Sequence, residues 1–129
     1  MGAILRHAIS SNVTAAVGAG QAHWGTLTVN LIGCFLIGLL MGFGERASWL
    51  TPALQKCLVT GLLGALTTFS TFAFDTLRLL NDGRWTSAVA SISANLLIGI
   101  LLVWLGMKAA NAVLPPSPET VEESSHVQM

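Results

Sequence analysis

The sequence predicts an all-α integral membrane protein, and three observations predict it. Only 9% of the 129 residues are charged while 53% are hydrophobic, whereas a soluble domain carries charge on about a quarter of its positions. So few charges cannot cover a water-facing surface, and the mean hydropathy of +0.69 agrees that this chain needs lipid around it. The second observation is a series of apolar stretches, each near the roughly 20 residues that a helix needs to cross a bilayer. The third is tryptophan at their rims, at Trp24, Trp49 and Trp85, where an amphipathic ring suits the membrane interface.

Met1–Val17 is the first element. Met1–Leu5 is apolar, Arg6 and His7 follow, and Ala8–Val17 is only moderately apolar. It is too short and too polar for a full span, and its basic residues come after the apolar ones, the wrong order for a secretory signal. It reads as the second half of a first transmembrane helix whose beginning is absent. Gly25–Gly44 is a complete second span. Lys56–Leu80 is the third, with an unusually polar centre and a break expected near residues 67–71. The fourth runs over residues 85–110, with Trp85 at its start. Glu45–Gln55, carrying Thr51-Pro52, links spans two and three. Asn81-Asp82-Gly83 is strong turn chemistry and predicts a tight helical hairpin between spans three and four. The transmembrane channel domain is thus residues 1–110, and residues 111–129, rich in Pro, Ser and Glu, are expected to be a disordered tail.

Composition also excludes functions. A net charge of zero leaves no basic footprint for nucleic acid. Cys34 and Cys57 both sit in apolar stretches and read as packing cysteines. His7, His23 and His126 are scattered, and the chain has no zinc-protease, phosphate-loop or nucleophile-turn motif, so an enzyme is not expected. With four spans, Arg46, Lys56 and Lys108 fall on one side and Arg6, Arg78 and Arg84 on the other, three against three. Orientation in the membrane is set by an imbalance of Lys and Arg. A balanced chain has no preferred orientation, and the expectation is a dual-topology protein that pairs antiparallel with itself; chance balance among so few basic residues is the alternative.

Function should lie where polar atoms sit at membrane depth. Thr26 and Asn30 share a face of the second span, and the Asn30 amide is either a pore-lining donor or glue between helices. Gly33, Gly38 and Gly42 read as sites of close helix approach, at a subunit or an intramolecular interface. Ser87, Ser91, Asn95 and Gly99 recur every four residues along the fourth span, a stripe that serves either pore lining or packing. The sharpest feature is Thr67-Thr68-Phe69-Ser70-Thr71-Phe72. Thr is β-branched and Ser bonds its own backbone, so helix propensity falls there, and Gly61 and Gly64 weaken the helix just before it. A broken span frees backbone carbonyls, tolerated in a membrane only where protein or an ion covers them. Phe69 and Phe72 project to similar faces, and the edge of an aromatic ring is electropositive. A ring edge therefore meets a small anion without the full positive charge that would hold it too tightly to conduct.

Three runs, GTLTVN (Gly25–Asn30), TGLLGALTTFSTF (Thr60–Phe72) and VWLG (Val103–Gly106), together with GAILRH (Gly2–His7), resemble the Fluc/CrcB fluoride channel family. The resemblance spans Gly2 to Ala110. It implies an antiparallel homodimer of four-helix subunits in a bacterial-type inner membrane, which exports toxic fluoride passively through two pores. It also implies a structural sodium ion at the two-fold axis. Carried over by position, Asn30 resembles the pore asparagine, Phe69 and Phe72 the two aromatics whose edges face fluoride, and Ser70 and Thr71 the hydroxyls beside them. Gly64 and Thr67 match the positions whose backbone carbonyls hold sodium. Ser91 and Asn95 stand where the family often has Tyr and Ser along a fourth-span track, and Gly99 replaces a third polar residue there. Asp75 stands where a Glu is common. Family members usually carry about 15 further apolar residues before the G-A-x-x-R element, enough to complete a first span.

A small dual-topology multidrug antiporter is the main rival. It needs a titratable carboxylate in its first span, and Met1–Val17 has none. A non-conducting assembly subunit, in which the amides serve only as glue, is the other.

Overall fold

A computed structural model describes residues 1–115 and 127–128, and every regular element among residues 1–115 is helical. The expected disordered tail lies, over residues 116–126 and at 129, outside the described residues.

Helix α1 (Gly2–Val17) ends where Gly18 takes φ 102, a left-handed value that a residue without Cβ adopts freely, and its N–H bonds the Thr14 carbonyl. A 3₁₀ turn (Ala19–Gln21) leads into α2 (Ala22–Gly44). The third span begins with α3 (Pro52–Lys56), widens into a π-helical stretch (Cys57–Leu63) and closes with α4 (Gly64–Leu66). After an interruption, α5 (Phe69–Asn81) completes it. The fourth span is α6 (Trp85–Ser93), a second π-helical stretch (Ala94–Ile98) and α7 (Gly99–Val113).

Several boundaries differ from those read in the sequence, each for a local reason. The third span starts at Pro52 rather than near residue 56 because Thr51 caps it: the Thr51 Oγ1 accepts the Leu54 N–H, and Pro52 occupies the first turn, where no N–H is needed. The interruption covers only Thr67 (φ −87, ψ 147) and Thr68 (φ −141, ψ 122), so residues 69–71 are helical. Gly61 lies within the first widened stretch and Gly64 just after it; the weak helix formers loosen the turns there, and the chain leaves the helix only at the threonines. Helix α7 continues to Val113, so residues 111–113 belong to the fourth span and not to a tail.

Three segments are long and apolar enough to cross a membrane: Ala19–Gly44, Pro52–Asn81 and Trp85–Val113, of 26, 30 and 29 residues. Helix α1, at 16 residues, is shorter. Its first residue packs at the depth of the interruption, since a Cβ on Gly2 would run into the Leu62 carbonyl and lie 3.1 Å from the Leu66 nitrogen. Trp85 and Trp104 are both exposed, and at ~1.5 Å per residue they stand about 28 Å apart along the helix, close to the ~30 Å of a hydrocarbon core. The side chains of Leu96, Leu97, Ile100 and Leu101 between them are exposed, as a lipid-facing surface requires. The protein is therefore a multi-pass membrane protein.

Helix α2 is the centre of the bundle, contacting every other span. Its Gly38 and Gly42 meet Gly106 and Ala110 of α7. A Cβ on Gly38 would strike the Val103 carbonyl, one on Gly106 the Phe35 carbonyl, and one on Gly42 would come within 2.7 Å of the Ala110 Cβ. The G-x-x-x-G pair thus serves intramolecular packing, backbone on backbone. At the other end, the Asn81–Arg84 turn is closed by the Arg84 N–H on the Leu79 carbonyl at 2.8 Å, with Gly83 at φ 71. The Arg84 Nη1 donates to the Gly20 carbonyl at 3.0 Å and ties this turn to the one between α1 and α2.

Candidate functional site

The interruption at Thr67–Thr68 opens a groove of about 510 Å³ between α2, both halves of the third span and the start of the second π-helical stretch. In a continuous helix the Thr68 N–H would donate to the Gly64 carbonyl. Here it donates to the Asn30 Oδ1 at 3.2 Å, and the Gly64 carbonyl loses its usual partner. One residue earlier the ladder is still intact: the Thr67 N–H and the Thr67 Oγ1 both donate to the Leu63 carbonyl, at 2.9 and 3.0 Å. The close approach of the interruption to α2 depends on Gly33, because a Cβ there would collide with the Thr67 Cγ2.

Asn30 is joined to the fourth span as well. Its Nδ2 donates to the Asn95 Oδ1 at 3.1 Å, and the Asn95 Nδ2 donates to the Ser91 carbonyl at 3.0 Å. Asn95 lies in the Ala94–Ile98 stretch, whose i→i+5 pairing widens the turn. The Phe69 and Phe72 rings stand 5.8 Å apart, tilted by 54°, on the groove's α5 wall. The first turn of α5 opens at the same place, so its unpaired N–H groups and the positive end of its dipole lie beside the groove. The Thr68 Oγ1, at the cap position, is buried and finds no hydrogen-bond partner among the described residues.

Asn30, Gly64, Thr67, Phe69, Phe72 and Asn95, singled out in the sequence, line this groove together. Ser70 and Thr71 are exposed on the first turn of α5 and are not among its lining residues, and Ser91 is buried behind Asn95, reaching the arrangement through its backbone carbonyl. The lining also includes Cys34, Val59 and Ile92. These are ordinary apolar-helix residues in the sequence, and only the helix phases bring them here.

A polar line continues from Asn30 toward the Asn81–Arg84 turn. One turn up α2, the Thr26 Oγ1 donates to the Asp75 Oδ2 at 2.6 Å, joining α2 to α5. A further turn up, His23 is buried, and with Asp75, Arg78, Asp82 and Arg84 it lines a small cleft of about 110 Å³. The Thr26–Asn30 face was legible from spacing alone. The cleft was not, because His23, Asp75 and Arg84 come from three segments.

Among the described residues no three His, Cys, Asp or Glu side chains gather into a metal site. The Gly64 and Thr67 carbonyls fit a different kind of cation. The first has lost its helical donor, the second leaves the helical ladder with the extended Thr67 backbone, and both residues face the groove. Neutral oxygen donors of this sort suit a hard cation of low charge.

The family model described as CrcB-like protein, Camphor Resistance (CrcB), matches residues 1–107. A fluoride-specific ion channel FluC of Geobacter metallireducens is 43% identical over 110 residues, covering 85% of this chain and 88% of its own length. One of Geotalea daltonii is 41% identical over 113 residues, 88% of this chain and 90% of its own. A third, of Shewanella loihica, is 42% identical over 108 residues, with 84% and 86% covered.

Proposed function

The chain belongs to the CrcB family, and from that premise we propose that it is a fluoride-selective passive channel that lets fluoride leave the cytoplasm and so limits its toxicity. The observation that carries this reading is the groove at the interrupted third span, which the Asn30 amide and the Phe69–Phe72 pair line together. Fluoride is small and strongly hydrated, so a path across lipid must replace its water with hydrogen-bond donors. Asn30 has a second N–H beyond the one given to Asn95. The ring edges of Phe69 and Phe72 and the first turn of α5 add partial positive charge. Among the described residues no lysine or arginine lines this groove, and weak, distributed donors bind an anion without trapping it.

The functional unit is an antiparallel homodimer inserted in both orientations. The open side of the groove supports this, for Phe69 is 80% exposed in the single chain although it stands at the centre of the site. The near balance of basic residues, Arg46, Lys56 and Lys108 against Arg78 and Arg84 with Arg6 inside helix α1, supports it independently. A second copy would cover this face and bring Ser70 and Thr71 into the path, with Ser91 and Asn95 on the flank of the fourth span. It would also double the Gly64 and Thr67 carbonyls, giving sodium oxygens from both chains at the two-fold axis. When bound, the ion would hold the two interruptions together as a structural element. Reporters fused to the C-terminus of the full chain in cells should report both sides of the inner membrane, and a single orientation in all molecules would refute this arrangement.

The activity itself is tested in liposomes loaded with potassium fluoride. Adding a potassium ionophore should release fluoride, read by a fluoride electrode, while chloride in a parallel preparation stays inside. Folded, reconstituted protein that releases neither ion, or releases both alike, would sink the proposal.

A further inference from the structure

We infer that Asn95 is a positioning residue: it acts on the permeating anion through Asn30, by fixing which way the Asn30 amide points. The inference rests on the fluoride-channel reading above and assigns a separate role within it.

A primary amide has an acceptor end and a donor end of nearly the same shape, and a half-turn about its last bond exchanges them. For a group facing a permeating anion that exchange decides everything, since the nitrogen end attracts an anion and the oxygen end repels it. The structure contains a chain of four groups that removes the choice. It runs from the Ser91 carbonyl to Asn95, from Asn95 to Asn30, and from Asn30 to the Thr68 N–H, with successive distances of 3.0, 3.1 and 3.2 Å. Its two ends are backbone groups with fixed roles: a carbonyl only accepts and an N–H only donates. The Ser91 carbonyl, which can only accept, therefore admits the Asn95 Nδ2 and not its oxygen, and this turns the Asn95 Oδ1 toward Asn30. That oxygen requires the Asn30 Nδ2, which turns the Asn30 Oδ1 toward Thr68, where a donor waits. Every link has the same sense. Turning either amide over would set acceptor against acceptor at one of its ends and donor against donor at the other, losing both hydrogen bonds at once.

With this orientation fixed, Asn30 keeps one N–H on Nδ2 and one lone pair on Oδ1, and of the two only the N–H attracts an anion. Asn30 lines the groove beside Phe69, so what it offers an ion there is a donor. The chain also links the interruption of the third span to the widened turn of the fourth. The Asn95 Nδ2 gives one N–H to its own helix backbone and keeps the other, so the response of the two amides to fluoride separates orienting the contact from making it.

The test uses the full-length chain in lipid nanodiscs, labelled with ¹⁵N-asparagine, alongside the liposome flux measurement. In the wild type, added fluoride should move the Asn30 side-chain amide signals much more than those of Asn95. Asn95→Leu, similar in shape but without hydrogen bonds, should shift the Asn30 amide signals in the absence of fluoride and remove their response to it. Fluoride efflux should fall about 10-fold or more, the scale of one lost polar interaction. Asn95→Ala should do the same and serves if the leucine variant does not assemble. The inference is overturned if fluoride moves the Asn95 signals as much as those of Asn30, since Asn95 then meets the ion itself. It is equally overturned if either variant leaves the Asn30 signals in place and conducts within about two-fold of wild type. Absence of fluoride flux from the wild type would defeat the channel reading instead, and the effect of Asn95→Leu on the Asn30 signals would still decide the positioning role.

Discussion

Helix α2 meets its neighbours in two different ways along its length. In its Gly38–Gly42 half it lies against α7 with backbone on backbone, and small residues from both helices let them approach. In its His23–Asn30 half it meets the third span through side-chain hydrogen bonds, Thr26 to Asp75 and Asn30 to the Thr68 N–H. The first seam is dry and filled, and the second holds its partners at side-chain length and leaves a groove beside them. The difference separates two requirements of a membrane channel. Close packing supplies the association that lipid, being as apolar as the helices, does not. Polar side chains satisfy an interrupted backbone without occupying the space an ion needs.

Breaking the dry seam should have the largest effect. A Gly38→Leu change places its Cβ against the Val103 carbonyl, with the Met107 nitrogen 3.1 Å away. Neither backbone group yields, and a cost of about 3 kcal/mol or more follows. The variant should lack a monodisperse peak by size exclusion in detergent, and a folded, conducting Gly38→Leu protein would show that this seam is not the frame. In the groove the effect should fall on conduction. Phe69→Ile keeps the apolar bulk but loses the ring edge, so fluoride efflux should drop about 100-fold or more, in line with loss of an electrostatic contact to the moving charge, with the elution profile unchanged. Efflux at wild-type level would remove the ring from the mechanism. The smallest of the three should be Thr26→Val, which keeps the shape and deletes the donor to Asp75. A hydrogen bond to a charged group contributes about 1.5–3 kcal/mol, but the Asp75 carboxylate faces the polar cleft and water can replace the hydroxyl. A fall of about three-fold in fluoride efflux is expected, with no change in chloride exclusion. A loss as deep as that of Phe69→Ile would move the selective part of the path toward the cleft.

Much of this was legible because it is local. Asn81-Asp82-Gly83 carries its own turn chemistry, and the TTFSTF run announces a weak helix in the middle of a span. The position of the interruption was legible only to within a few residues. Low propensity extends over the whole run, whereas Thr68 alone finds the Asn30 Oδ1 as a substitute for its helical partner. Helix phase restarts at Phe69, so the directions of Ser70 and Thr71 could not be read by extending the preceding helix. The fourth-span stripe likewise divides once the second widened turn intervenes: Asn95 reaches the groove while Ser91 is buried. The glycines of α2 announce close approach without naming a partner. Tertiary packing assigns Gly38 and Gly42 to α7 and Gly33 to Thr67.

By itself the sequence determined the solvent, the helical class, the hairpin between the last two spans and the inventory of polar groups held at membrane depth. These follow from hydropathy and turn chemistry, which each segment carries on its own. Only the tertiary structure decided which of those groups meet. Asn30 and Thr68 are 38 positions apart, and Asn30 and Asn95 are 65 apart. Their bonds depend on the relative phases of three helices and on the absence of a side chain at Gly33, and neither belongs to any one segment.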